Sequence, residues 1–236
     1  MSKPGKLYLI PTPLGDYSPA LVLPEPVLEL LPTLKTFVVE ETRTARRFLS
    51  AAGLKGHIQE LDFHELNEHT SPAQVESLAA LFDCGNDVGL LSEAGLPAVA
   101  DPGALLVALC HRKGIEVVPL TGPSSLMLAL MASGLNGQQF AFNGYLPVKP
   151  DERRAAIKTL EKRSASLKQS QICIETPYRN DALLADILAS CADGTRLCVA
   201  ADITLQTQFI KTLTVGQWKK AVPVIGKRPC VFIILA

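Results

Sequence analysis

No CxxC pair occurs among the six cysteines (Cys84, Cys110, Cys173, Cys191, Cys198 and Cys230), and the histidines His57, His64, His69 and His111 form no cluster at ligand spacing. No metal site is therefore expected, and the cysteines, most of them inside apolar patterns, read as reduced, buried small hydrophobes. No uncharged apolar run reaches the roughly eighteen residues of a membrane span. The longest candidate, Ser124 to Leu135, is helix-sized and contains Gly134. The N-terminal stretch MSKPGKLYLIPTPLG is broken by prolines and glycines, so it lacks the apolar core of a signal peptide and a cytoplasmic protein is expected. Net charge is also missing: 23 basic residues face 23 acidic ones, so any RNA contact must come from a local patch rather than a general basic field. No strand-like run is followed by GxGxxG, and GxxxxGK[ST] is absent, which weakens dinucleotide-dependent hydride transfer and nucleotide hydrolysis as activities.

What is present is a chain of 236 residues with 47% hydrophobic and 19% charged side chains, enough for two modest cored domains. In the first half, apolar runs at Leu7 to Ile10, Thr36 to Val39, Val88 to Leu91 and Val117 to Leu120 alternate with helical patterns near Thr44 to Ala52, Pro72 to Phe82 and Gly103 to Arg112. That alternation predicts a parallel sheet, and runs apolar on both faces predict helices on both sides of it. In the second half, strands are expected at Phe140 to Gly144, Gln171 to Glu175, Arg196 to Ala201, Gln208 to Val215 and Cys230 to Leu235. Only two long helical patterns, Asp151 to Ser166 and Asn180 to Ala192, lie among them, so a mixed or largely antiparallel sheet is expected. The boundary falls near Leu120, giving an N-terminal α/β domain over 1–120 and a C-terminal one over 121–236, linked by a helix at Ser124 to Ser133.

Three loops leave strands where open α/β sheets bind ligands. Pro11 to Asp16 is stiffened by two prolines and carries Gly15; alone it also reads as a tight turn. Ser92 to Gly103 holds glycines at 95 and 103, prolines at 97 and 102, and carboxylates at 93 and 101. Its Glu93 to Pro97 stretch reads as a ligand loop, whereas Asp101 reads as a helix cap ahead of Pro102. Thr121 to Ser125 opens an apolar helix, where serines either cap the helix or bond a ligand.

Taken in order, the strings LYLIPTPLGD, VVEETRTARRFL, FHELNEHT, VGLLSEAGLPAVADPG, VVPLTGPSSLMLALMASGL, FAFNGYLP and IETPYR resemble the motifs of the bacterial 16S ribosomal RNA 2′-O-cytidine methyltransferase family, within the tetrapyrrole-methylase superfamily. The resemblance runs from about Lys6 to about Trp218. It implies a two-domain α/β fold, a homodimer, and S-adenosylmethionine held in a cleft between the domains. By motif, it implies cofactor contacts at Pro13, Leu14 and Gly15, at Glu93, Gly95, Leu96 and Ala98, at Ser124 and Ser125, at Gly144, Tyr145 and Leu146, and at Glu175 and Thr176. The chain departs from the family after Gly15, where Asp16 leads into a proline-rich segment. It also carries Glu93 where the family has Asp, and it lacks the C-terminal segment of longer members.

A ribose hydroxyl is a poor nucleophile, so a general base is expected among His64, Glu65 and Glu68, with Glu40 or Glu41 behind them; each also reads as a surface charge or helix cap. Arg43, Arg46 and Arg47 share a helical face, and six basic residues stand against three acidic ones between Lys149 and Arg163, including Arg153 and Arg154. Both patches read either as phosphate contacts or as solvated helix faces. The substrate implied is small-subunit ribosomal RNA. The alternatives are a methyltransferase acting on a tetrapyrrole-type small molecule and a non-catalytic adenosylmethionine-binding module.

Overall fold

The computed structural model describes residues 3–236; the first two residues of the N-terminal stretch discussed above lie outside them. Internal contacts divide the chain into two units, meeting between Ser124 and Ser125.

The first unit is built on a sheet of β1 (Leu7–Ile10), β2 (Thr36–Val39), β3 (Asp62–Glu65), β4 (Val88–Leu91) and β5 (Val117–Pro119), in the order β3-β2-β4-β1-β5 with every pairing parallel. β2 and β4 are buried along their whole length, as strands covered on both faces must be. Phe37, Val39, Leu91 and Ile10 pack into one core layer with Leu31 and Leu49, while Val38, Leu90 and Leu7 pack into the other with Phe82 and Leu106. Gly89 serves the first layer directly. A Cβ there would stand 2.7 Å from Ile10 Cδ1 and 2.8 Å from Phe37 Cδ1, so its absence lets side chains from both neighbouring strands fill the same space.

The connecting helices are α1 (Glu25–Leu30), α2 (Thr42–Leu49), α3 (Pro72–Ser77) and α4 (Ala104–Lys113). α1 grows out of the proline-rich segment because Pro24 and Pro26 sit at its N-terminus, where a missing N–H costs nothing. α2 runs on into a π-helical turn over Ser50–Leu54, and α3 opens with a reciprocal Ser71–Gln74 capping box. β3 was not expected as a strand. Phe63 is its one strongly apolar residue, and the strand lies at the sheet edge with both ends exposed.

The second unit comprises α5 (Ser125–Ser133), β6 (Phe140–Tyr145), α6 (Pro150–Leu167), β7 (Ser170–Ile174), α7 (Asn180–Ser190), β8 (Arg196–Ala201), β9 (Phe209–Thr214), α8 (Val215–Trp218) and β10 (Cys230–Leu235). The strand order is β6-β7-β10-β8-β9; β6 and β7 run parallel and the remaining pairs antiparallel. The mixed sheet matches the expectation. Fully buried β10 packs Phe232 and Ile234 against Ile187, Leu183 and Trp218, and the Trp218 indole donates to the Leu197 carbonyl at 2.9 Å. Five of the six cysteines are buried, and burial pushes the thiols of Cys173, Cys191 and Cys230 up to about 12, which keeps them protonated and unreactive.

Candidate active site

Because the five strands of the first unit run parallel, the loops at their carboxyl ends lie along one edge of the sheet. In the first unit, the loops after β1, β4 and β5 meet at Gly95. Backbone bonds from Thr12 N to Gly95 O (2.9 Å) and from Gly95 N to Thr12 O (3.1 Å) tie the first loop to the second. A Cβ on Gly95 would stand 3.2 Å from Leu14 Cδ2 and 3.5 Å from the Pro123 carbonyl oxygen, which brings in the third loop; φ of +83° at this residue also favours glycine. Beyond it, Ala98 and Ala100 hold φ of +64° and +57°, values that L-residues seldom adopt. Strain of this kind persists where surrounding contacts enforce it, and it clusters at ligand sites. Pro13, Leu14 and Gly15 line a groove here together with Glu93, while Leu96 and Ala98 are half-buried in the same loop. Ser124 closes the first unit, and Ser125 opens α5 in the second.

Asp101 is not the N-cap of α4: Gly103 holds that position, with no side-chain cap, and Asp101 braces the turn that leads into it. Its Oδ1 accepts from Gly103 N at 2.6 Å and from Ala98 N at 3.3 Å, so the carboxylate fixes both the start of α4 and the strained turn before it. Its Oδ2, however, is buried with no partner, and burial pushes the group above its ordinary range against those two hydrogen bonds.

The acidic residues near this edge divide into tied and untied groups. Glu41 caps α2, accepting from Thr44 Oγ1 (2.7 Å), Arg43 N (2.8 Å) and Thr44 N (2.7 Å), and these bonds hold it below the usual carboxylate range. Glu65 accepts from the Thr42 hydroxyl at 2.8 Å, and His64 Nε2 lies 2.8 Å from Asp62 Oδ2. Glu68 is exposed beside His69. Glu40, half-buried at the end of β2, forms no hydrogen bond or ion pair among the described residues; burial, then the neighbouring charges of Asp101, Glu93 and Glu68, pushes it above the usual range. Glu93 is raised chiefly by burial as well. The sequence placed Glu40 only behind its neighbours; what distinguishes it is the absence of a partner, and that depends on the fold.

A groove of about 870 Å³ opens between the β1 loop and α2, with Arg46, Arg47, Phe48 and Lys55 on the helix side and Tyr17 on the loop side. Arg47 reaches Asp16 at 3.5 Å and the Arg46 guanidinium lies 5.3 Å from the centre of the Phe63 ring. Arg43 is exposed on the same helix and does not line the groove.

In the second unit, β6 breaks register between Phe142 and Tyr145, with Gly144 at φ +65°. Tyr145 is exposed, whereas the side chain of Leu146 belongs to the core. Glu175, buried after β7, accepts through Oε1 from Arg179 Nη2 (2.6 Å), Thr176 N (2.7 Å) and Arg179 Nε (3.0 Å); its Oε2 is buried without a partner. Arg153 is buried too, bonded through Nε to Asp186 Oδ2 at 2.7 Å and through Nη1 to the Val148 carbonyl at 2.9 Å, while Arg154 Nε holds Asp186 Oδ1 at 2.7 Å. This pair of guanidiniums is organised around a carboxylate of the chain itself.

Among the described residues, no group of three or more His, Cys, Asp or Glu is arranged to hold a metal ion, and no helix is long and apolar enough to cross a membrane. Among known proteins, the ribosomal RNA small subunit methyltransferase I of Escherichia coli O157:H7 is 32% identical over 213 residues, covering 90% of this chain and 70% of that protein. A solved diphthine synthase superposes with a TM-score of 0.67 at 15% identity over 98% of this chain and 90% of that one. A uroporphyrin-III C-methyltransferase from Thermus thermophilus, complexed with S-adenyl homocysteine, gives 0.57 at 16% identity over 98% and 97%. The model of the tetrapyrrole (corrin/porphyrin) methylases matches residues 6–218, and the chain belongs to that family.

Proposed function

We propose that the chain transfers a methyl group from S-adenosylmethionine to a ribose 2′-hydroxyl of small-subunit ribosomal RNA. The observation that carries the reading is the meeting of three strand-end loops at Gly95, in a chain 32% identical to a protein named ribosomal RNA small subunit methyltransferase I. The residues of the first unit fit the cofactor: glycine where the loops meet, two alanines held at positive φ, and a buried carboxylate oxygen on Asp101 that still lacks a donor such as a hydroxyl or amino group.

Adenosylmethionine supplies an activated methyl on its sulfonium. The chain's own task is to hold the acceptor hydroxyl in line and to take its proton. Glu40 is our choice of base, because its raised pKa moves it toward the working pH and no other bond occupies it. Glu41, Glu65 and His64 are occupied by Thr44, Thr42 and Asp62. Phosphate contacts are assigned to Arg46 and Arg47 on α2, because Arg153 and Arg154 serve Asp186.

The test is transfer of labelled methyl to ribosomal subunits from cells lacking this protein. We expect label in the small-subunit RNA, and a loss of about 10²–10⁴-fold for Glu40→Gln with adenosylmethionine binding intact. Label on a tetrapyrrole and none on RNA would replace the reading.

A further inference from the structure

We infer that the groove between the β1 loop and α2 seats an unpaired stretch of RNA, with Arg46, Arg47 and Lys55 on its phosphates and Tyr17 and Phe48 against a base; the inference rests on the ribosomal RNA reading above. The spacing of α2 builds the basic wall. Thr44, Arg47, Phe48 and Ala51 all line the groove, with Arg47 and Phe48 three and four residues after Thr44 and Ala51 four and three after them, and Gly53 within the π turn over Ser50–Leu54, at φ +109°, turns the chain so that Lys55 joins the same lining. Three cations face two lining carboxylates, Asp16 and Glu93, in a chain with no net charge.

These cations are available. Lys55 is exposed and forms no ion pair among the described residues. Arg47 meets Asp16 at 3.5 Å with both side chains largely in solvent, 69% and 95% exposed, so the pair is weak and a phosphate can displace the carboxylate. The Arg46 guanidinium, 5.3 Å from the centre of the Phe63 ring, is exposed and forms no ion pair among the described residues, so its N–H groups can meet a phosphate.

Aromatic rings interleaved with cations distinguish a single strand from a duplex. Tyr17 and Phe48 are each half-buried and line the groove beside these side chains. Bases of an unpaired strand stack on such rings while the backbone follows the cations, whereas a duplex keeps its bases stacked on each other. A cavity of about 870 Å³ also has the dimensions of a small-ligand pocket, matching one splayed nucleotide and its neighbours rather than the width of a helix.

The experiment is fluorescence anisotropy with a short labelled single-stranded RNA, competed by the same sequence as a duplex, on the parent chain and on Lys55→Glu, Arg47→Glu and Asp16→Asn. Lys55→Glu and Arg47→Glu are expected to weaken binding about tenfold and to flatten the log–log salt dependence by about 0.7 per lost phosphate contact. Asp16→Asn, which frees Arg47, is expected to tighten binding, a gain that mere destabilisation does not produce. Adenosylmethionine titrations on all three variants should match the parent. Parent-like RNA affinity in both charge reversals, or a duplex that competes as well as the single strand, overturns the inference. Methyl transfer by the parent to small subunits separates the two readings: if it proceeds and the charge reversals transfer equally fast, only the groove assignment falls. If the parent transfers nothing to ribosomal RNA, the functional reading falls.

Discussion

At Gly95 a β-branched side chain meets two obstacles. Its φ of +83° lies where a valine is strained by about 1–3 kcal/mol, and its Cβ would press on Leu14 Cδ2 at 3.2 Å. Gly95→Val is therefore expected to lose at least tenfold in adenosylmethionine affinity by calorimetric titration, with Gly95→Ala losing less. Equal binding by the valine variant would make the β4 loop a purely structural turn. Glu40 gives a prediction in pH. Its folded-state pKa is raised, so the ionised carboxylate costs stability, and that contribution diminishes stability as pH rises through the folded value. The same ionised form is the one that accepts a proton. Methyl transfer should accordingly rise with pH through a midpoint above the ordinary glutamate range, and Glu40→Gln should flatten that limb. At this scale the sequence discloses residue types but not their engagements: Thr42 reaches Glu65 across 23 residues of chain, and nothing in FHELNEH shows that bond.

Among the elements, long apolar runs were legible and short polar ones were not. β1, β2, β4, β8 and β10 lie where alternation or continuous apolar character puts them, because burial on both faces leaves a mark in composition. β3 carries no such mark: it lies at the edge, and its pairing with β2 comes from the sheet. α1 was hidden by prolines that sit harmlessly in its first turn. On α6, charge alone left Arg153 and Arg154 readable as a phosphate patch, yet the packing of α6 on α7 turns both toward Asp186. Burial pushes Asp186 upward, but hydrogen bonds from Arg154 and Arg153 outweigh it and hold the group below its usual range. Its contribution is thus present at neutral pH and lost as pH falls through the lowered folded value. Asp186→Ala, which strands a buried guanidinium, should cost about 3–5 kcal/mol in denaturant unfolding. Replacing Arg153 with Met together with Asp186 with Leu should come close to neutral, and a large loss in that double variant would mean that the pair does more than neutralise itself.

For the whole molecule, we propose a homodimer; Met131 on α5 is largely exposed and offers apolar surface suited to such an interface. Sedimentation at micromolar concentration should give about twice the 25.4 kDa of one chain, and a monomer at that concentration would count against the proposal. The position of the transferred methyl distinguishes ribose from base chemistry most directly. A 2′-O-methyl group removes the hydroxyl that attacks the neighbouring phosphate in alkali, so the labelled linkage resists hydrolysis while unmodified ones break. Small subunits methylated by this chain with labelled adenosylmethionine should, after alkaline digestion of their RNA, yield the label in an alkali-resistant dinucleotide. Label released in mononucleotides would place the methyl on a base and contradict the ribose assignment.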